Sequence, residues 1–232
     1  LMMTASFEVE QAICRLASLV NLELNCCGKT VNGFISQLAA LSNLRKLSFG
    51  PPRGPYAYVQ GEETMHVSLS NYNGLNNDGM NEASKLTALT HLSFNGSTSS
   101  DDRDHVGVTE EGFAQLSKLE NLQSLSIFDG VVNESVISNF SANGKLRSLS
   151  VRNRLDSKTL VSIAGLKSLE SLRIGQSEIS SAVLRDYASL THLNMLELHG
   201  CDLPEGLPID IFESFASLTH LDLMSTKIDD ES

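Results

Sequence analysis

The chain has 232 residues and a formal net charge of −11, so it offers no general electrostatic attraction to nucleic acid or to anionic lipid. Hydrophobic residues make up 41% and charged residues 19%, a globular balance that excludes wholesale disorder. No run of about 18 apolar residues occurs, which excludes a membrane-spanning helix in this segment, and the opening Leu1–Ser6 stretch carries no signal-peptide pattern.

Self-comparison along the chain finds one block, L-x-x-L-x-x-L-x-L, again and again. It reads Leu16-Leu19-Leu22-Leu24, then Leu41-Leu44-Leu47-Phe49. The segment Pro51 to Tyr58 interrupts it. Met65 to Ser70 then reads as a degenerate strand, with Val67 and Leu69 in the L-x-L positions. The block returns as Leu86-Leu89-Leu92-Phe94 and Leu119-Leu122-Leu125-Ile127, separated by an insertion from Ser97 to His105. It continues as Asn143-Leu146-Leu149-Val151, Leu166-Leu169-Leu172-Ile174, Leu190-Leu193-Leu196-Leu198 and Phe215-Leu218-Leu221-Leu223. The later copies are 23 to 25 residues apart.

Between blocks lie apolar residues at i, i+3 and i+6, the spacing of one face of a short helix. Examples are Phe113-Leu116-Leu119, Leu160-Ile163-Leu166 and Leu184-Tyr187-Leu190, and the same pattern in Met80-Ala83-Leu86 requires a strand before it. That requirement is what identifies Met65 to Ser70 as a repeat and predicts nine strands.

This pattern resembles the leucine-rich-repeat family, and the resemblance covers essentially the whole chain. Its helix-length connectors are similar to the ribonuclease-inhibitor-like, cysteine-containing and GALA-type classes. Where the family places Asn or Cys after the strand, this chain has Cys27, Ser177, Cys201 and Thr226, whereas other repeats carry Gly130 or Arg154. The implied fold class is α/β: a leucine-rich-repeat solenoid, a horseshoe or arc with a parallel concave β-sheet and convex helices. The expected organisation is a single domain over residues 1–232 with about nine repeats. The last strand is followed by the start of another helical segment, so an uncapped C-terminal end is expected to pack against more repeats or another chain.

In such an array the residues flanking each core leucine face the concave surface. The middle column reads Ser48, Ser68, Ser93, Ser126 and Ser150, then Arg173, Glu197 and Asp222. His66 and His91 are expected to be lateral neighbours with Lys46 beside them. Glu197 is expected to neutralise the arginine pair Arg152 and Arg173 internally. Phe128, Met195 and Met224 are the apolar anchors of an expected partner surface, with His199 and His220 beside them. Tyr56 and Tyr58 in the first interrupting loop, and Asp101, Asp102 and Asp104 in the second, are expected to add contacts at one edge.

No nucleophile elbow, phosphate loop or dinucleotide fingerprint is present, and no CxxC or His-x-x-x-His spacing marks a metal. No catalysis, cofactor or metal is therefore expected. Of the four cysteines Cys14, Cys26, Cys27 and Cys201, none brackets the array as a capping disulfide would, which favours reduced core thiols and a cytoplasmic setting. The expected role is a non-catalytic scaffold for a protein partner, with no nucleic acid and no membrane insertion. Two alternatives are the ligand-recognition domain of a secreted effector or cell-surface receptor, and the substrate-recognition part of a larger ubiquitin-ligase-type protein.

Overall fold

In the computed structural model the described residues are 7–25, 31–49, 65–68, 76–95, 108–128, 130–141, 144–205 and 210–226. They fall into two compact units, Leu1–Leu122 and Gln123–Ser232. In each, parallel strands are interspersed with short helices, the α/β fold of a leucine-rich-repeat solenoid.

The first unit contains β1 (Asn21–Asn25), β2 (Lys46–Phe49), β3 (Met65–Ser68) and β4 (His91–Asn95), in the spatial order β3-β1-β2-β4. Leu22, Leu47 and Leu92 pair across the sheet, and Leu24, Phe49 and Phe94 form the next row. The first row exists because L-x-L alternation points its leucines to one face, where the next repeat buries them. Leu22, Leu47 and Leu92 are each at most 2% exposed.

Strand β3 departs from the expected order. It does not lie between β2 and β4, which pair directly, but outside β1. Its register also differs: Met65 and Val67, not Val67 and Leu69, align with Leu22 and Leu24. The physical reason is edge pairing. An unpaired strand presents a row of open N–H and C=O groups, and β3 fills that row along β1.

Helices α1 (Phe7–Cys14), α2 (Val31–Gln37), α3 (Asn77–Ala83) and α4 (Glu110–Gln115) belong to the first unit and bury Ile13, Phe34 and Ile35, Met80 and Ala83, and Phe113 in turn. Asn76 starts α3 by accepting from the N–H groups of Asp78 and Gly79. The next residue, Asn77, reaches across to α4, donating to Thr109 Oγ1 at 2.8 Å and accepting from its N–H at 2.9 Å. A side chain at Gly112 would overlap Asn77 Oδ1 and crowd Val108, so glycine there is what lets α3 and α4 approach.

The second unit contains β5 (Ser124–Phe128), β6 (Ser148–Val151), β7 (Ser171–Gly175), β8 (Met195–His199) and β9 (His220–Asp222), paired in chain order. One apolar row is Leu125-Leu149-Leu172-Leu196-Leu221 and the other is Ile127-Val151-Ile174-Leu198. Full burial of each such side chain contributes about 1.5–3 kcal/mol. The row opens at β9, where Leu221 is 39% exposed. Helices α5 (Glu134–Ser141), α6 (Ser157–Ile163), α7 (Ser181–Ala188) and α8 (Asp210–Glu213) bury one face each, as in Val136, Ile137 and Phe140 or Val183, Leu184 and Tyr187. Asn133, Asp156 and Ser180 cap the N-termini of α5, α6 and α7 by accepting from backbone N–H groups three residues on.

The turns after β7, β8 and β9 share two devices. Gln176, Gly200 and Ser225 occupy equivalent positions, all left-handed, with φ of 56°, 61° and 59°. The residue after each then serves the backbone. Ser177 Oγ accepts from Leu155 N–H at 3.0 Å and lies within hydrogen-bond reach of the Asn153 and Gly175 carbonyls. The Cys201 thiol faces the Ile174 carbonyl at 3.5 Å, and Thr226 donates to the Leu223 carbonyl. A small polar or thiol group at this position satisfies carbonyls that the sheet leaves behind.

Candidate functional site

Three columns of side chains stand on the sheet face opposite the leucines in the second unit. The first runs Ser124, Ser148, Ser171, Met195, His220 and the second Ser126, Ser150, Arg173, Glu197, Asp222. The third follows one step after the inner apolar row, with Phe128, Arg152, Gly175, His199 and Met224. Gly175 pairs with His199, and Arg152 N–H donates to the Ile127 carbonyl.

The serine end of this face is low and half-buried at Ser126 and Ser150. Arg152 lies with its guanidinium carbon 5.9 Å from the centroid of the Phe128 ring, within cation–π range. Arg152 itself is exposed. A Cβ on Gly175 would come within 3.3 Å of Arg152 Cγ, so the bare glycine gives the arginine stem a shelf.

The other end is charged. Arg173 Nε donates to Glu197 Oε2 at 2.5 Å, and the Glu197 side chain is only 2% exposed. Burying a carboxylate costs several kcal/mol unless it is paired, and here a guanidinium and an imidazole face it. His199 Nε2 lies 3.1 Å from Asp222 Oδ2 and 3.6 Å from Glu197 Oε2. Met195 Sδ sits beside this group, 3.4 Å from Ser171 Oγ and 3.6 Å from Arg173 Nη2. Met224, at 60% exposure, and the exposed ring of His220 border it.

The sequence placed these residues with mixed success. Glu197 does neutralise Arg173, but Arg152 instead stacks on Phe128. In the first unit, Ser48 and Ser93 are direct neighbours, and Lys46 aligns with His91. His66 is not beside His91: it aligns with Glu23 on the far side of β1. Ser68 likewise aligns with Asn25 and leaves the serine column, because β3 docks at the edge and two residues out of the expected register. His91 Nδ1 lies 2.8 Å from Thr90 Oγ1. Tyr56, Tyr58, Asp101, Asp102 and Asp104 lie outside the described residues.

The approach of His199 to both Glu197 and Asp222 was missed. Its signal was available, since His199 follows Glu197 by two residues and both are one strand from Asp222. A diagonal between columns is simply harder to see than a row.

No protein-family profile matches the sequence, and no curated protein is similar to it. Solved structures do match. A crystal structure of a TLR13–ssRNA13 complex aligns over 93% of this chain at 14% identity and a TM-score of 0.55. A plant peptide hormone receptor, RGFR1 in complex with RGF2, aligns over 94% at 14% identity and TM-score 0.47, covering 34% of that chain. An internalin from Listeria monocytogenes aligns over 91% at 16% identity and TM-score 0.36, covering 76% of that chain. The first likeness is one of fold: the repeat pattern and the observed strand–helix alternation are those of leucine-rich-repeat structures. The chain spans 31% of the length of the TLR13 chain it matches.

Proposed function

We propose that the chain is a non-catalytic protein-binding domain, and that its partner docks on the sheet face of the second unit. One observation carries this reading: a shallow, serine-floored face is bordered by exposed anchor side chains, Arg152 on Phe128 at one side and Met224 at the other. Arginine and large apolar side chains held on a rigid sheet lose little freedom on binding and are the residue types that dominate interface energetics. The net charge of −11 favours a protein ligand over a nucleic acid.

The test is affinity capture with the wild-type chain and with Arg152→Glu and Met224→Asp, folding being checked by circular dichroism. A partner captured by wild type and lost from both variants supports the reading. Undiminished capture by both variants places the interface elsewhere and overturns it.

A further inference from the structure

We infer that Glu197, His199 and Asp222 form a zinc-binding site on the face of the second unit, independent of any macromolecular partner. Three donor atoms of the right kinds converge there: one imidazole nitrogen and two carboxylate oxygens, all within 4.8 Å of one another. In a tetrahedral zinc site with bonds of about 2.0–2.2 Å, ligand atoms stand roughly 3.3 Å apart. His199 Nε2 lies 3.1 Å from Asp222 Oδ2 and 3.6 Å from Glu197 Oε2, on either side of that spacing. The Glu197 and Asp222 carboxylates lie within 4.8 Å of each other as well.

The donors are fixed by rigid structure. Glu197 and His199 are alternate residues of β8, so both project from the same face, and Asp222 is the register partner of Glu197 on β9. The Arg173 guanidinium holds the Glu197 carboxylate, an outer hydrogen bond of the sort that orients a ligand before metal arrives. With a neutral imidazole, the two carboxylates and Arg173 leave one net negative charge, so a divalent cation enters an electrostatically favourable place. His199 is 27% and Asp222 19% exposed, so the fourth coordination position is open to water. Nitrogen and oxygen donors with an open position suit zinc better than calcium, which takes six to eight oxygens.

The experiment is a Co2+ titration of the reduced, metal-free full chain, followed by Zn2+ displacement. Cobalt at this site gives visible d–d absorption saturating at one equivalent, without the thiolate charge-transfer band that Cys14, Cys26, Cys27 or Cys201 would produce. His199→Ala and Asp222→Asn should each weaken binding at least tenfold. Imidazole NMR of the wild-type chain should show Zn2+ moving the His199 Nε2 resonance, a readout that needs no variant. Absence of the d–d spectrum overturns the proposal, as do a thiolate band, unchanged affinity in both variants, or a His199 resonance that zinc leaves in place.

Discussion

Arg173 and Glu197 are register partners on adjacent strands, and their side chains close to 2.5 Å while the carboxylate is almost wholly buried. The arginine is 29% exposed, so the pair is an anchor set into the sheet with one end in water. Removing a buried pair's cation strands the anion, at about 3–5 kcal/mol. Partial exposure of the arginine and the nearby His199 lower the expected cost of Arg173→Met to about 2–3 kcal/mol in urea unfolding. Arg173→Met with Glu197→Met should recover most of the loss. Equal destabilisation by the single and double variants would mean the pair contributes nothing specific.

The equivalent turn positions 176, 200 and 225 predict a change of sign. All three are left-handed, a conformation that costs a non-glycine residue about 1–2 kcal/mol. Gly200→Ala should therefore destabilise by about 1 kcal/mol, whereas Gln176→Gly should stabilise by up to about 1 kcal/mol. Thermal midpoints moving the same way in both variants would contradict this.

Asp156 predicts a pH dependence. Its carboxylate accepts from the Thr159 hydroxyl and from the Thr159 N–H, and these bonds hold its pKa below the ordinary aspartate value. A group with a lowered folded-state pKa stabilises above its unfolded pKa, and that stability is lost as pH falls through the folded value. The stability gap between wild type and Asp156→Ala should be full at pH 6 and shrink below about pH 4. A gap independent of pH between 2 and 6 would assign the effect to something other than the ionised cap.

Gly112 predicts a steric penalty. Asn77 cannot swing away from an added methyl group without giving up both of its bonds to Thr109. Overpacking of this kind costs about 1–3 kcal/mol, so Gly112→Ala should lower the unfolding midpoint despite alanine's higher helix propensity. Combining it with Asn77→Ala should remove much of the penalty, which a double-mutant cycle would read.

Tyr187 is fully buried, and its hydroxyl donates to the Leu160 carbonyl of the preceding helix at 3.0 Å. Burial pushes its pKa well above the usual tyrosine value, with Cys201 and Asp186 adding to the effect. Tyr187→Phe should cost about 1 kcal/mol. Its phenol should also stay silent in an ultraviolet pH titration until the protein unfolds in base. Titration of all four tyrosines before unfolding would refute the burial argument.

The leucine rows were legible because their period is fixed by geometry: alternation within a strand and stacking between repeats require Leu125, Leu149, Leu172 and Leu196 to meet. The same arithmetic placed Arg173 beside Glu197. It failed for β3, because Met65 to Ser70 has several apolar registers and no leucine pair to choose among them. Which sheet edge it occupies is decided by unpaired backbone on β1, which carries no sequence mark. It also failed for Arg152, whose long stem places the guanidinium over the Phe128 ring. The left-handed turn was not read from the sequence: of its three positions only Gly200 is a residue type that favours it, and Gln176 and Ser225 carry no such mark.

The place of β3 alters what can be cut from the chain. Repeats that touch only their sequence neighbours can be deleted or duplicated like links. Here the pairing Leu22–Met65 spans 43 residues against 25 for Leu22–Leu47, a closure that costs only about 0.5 kcal/mol more. The strand made first thereby becomes an interior strand with partners on both sides. Excising the β3 segment would reopen the flank of β1, some forty residues upstream of the cut. Excising β1 would leave β3 nothing to lie against, so this part of the array stands or falls as a block.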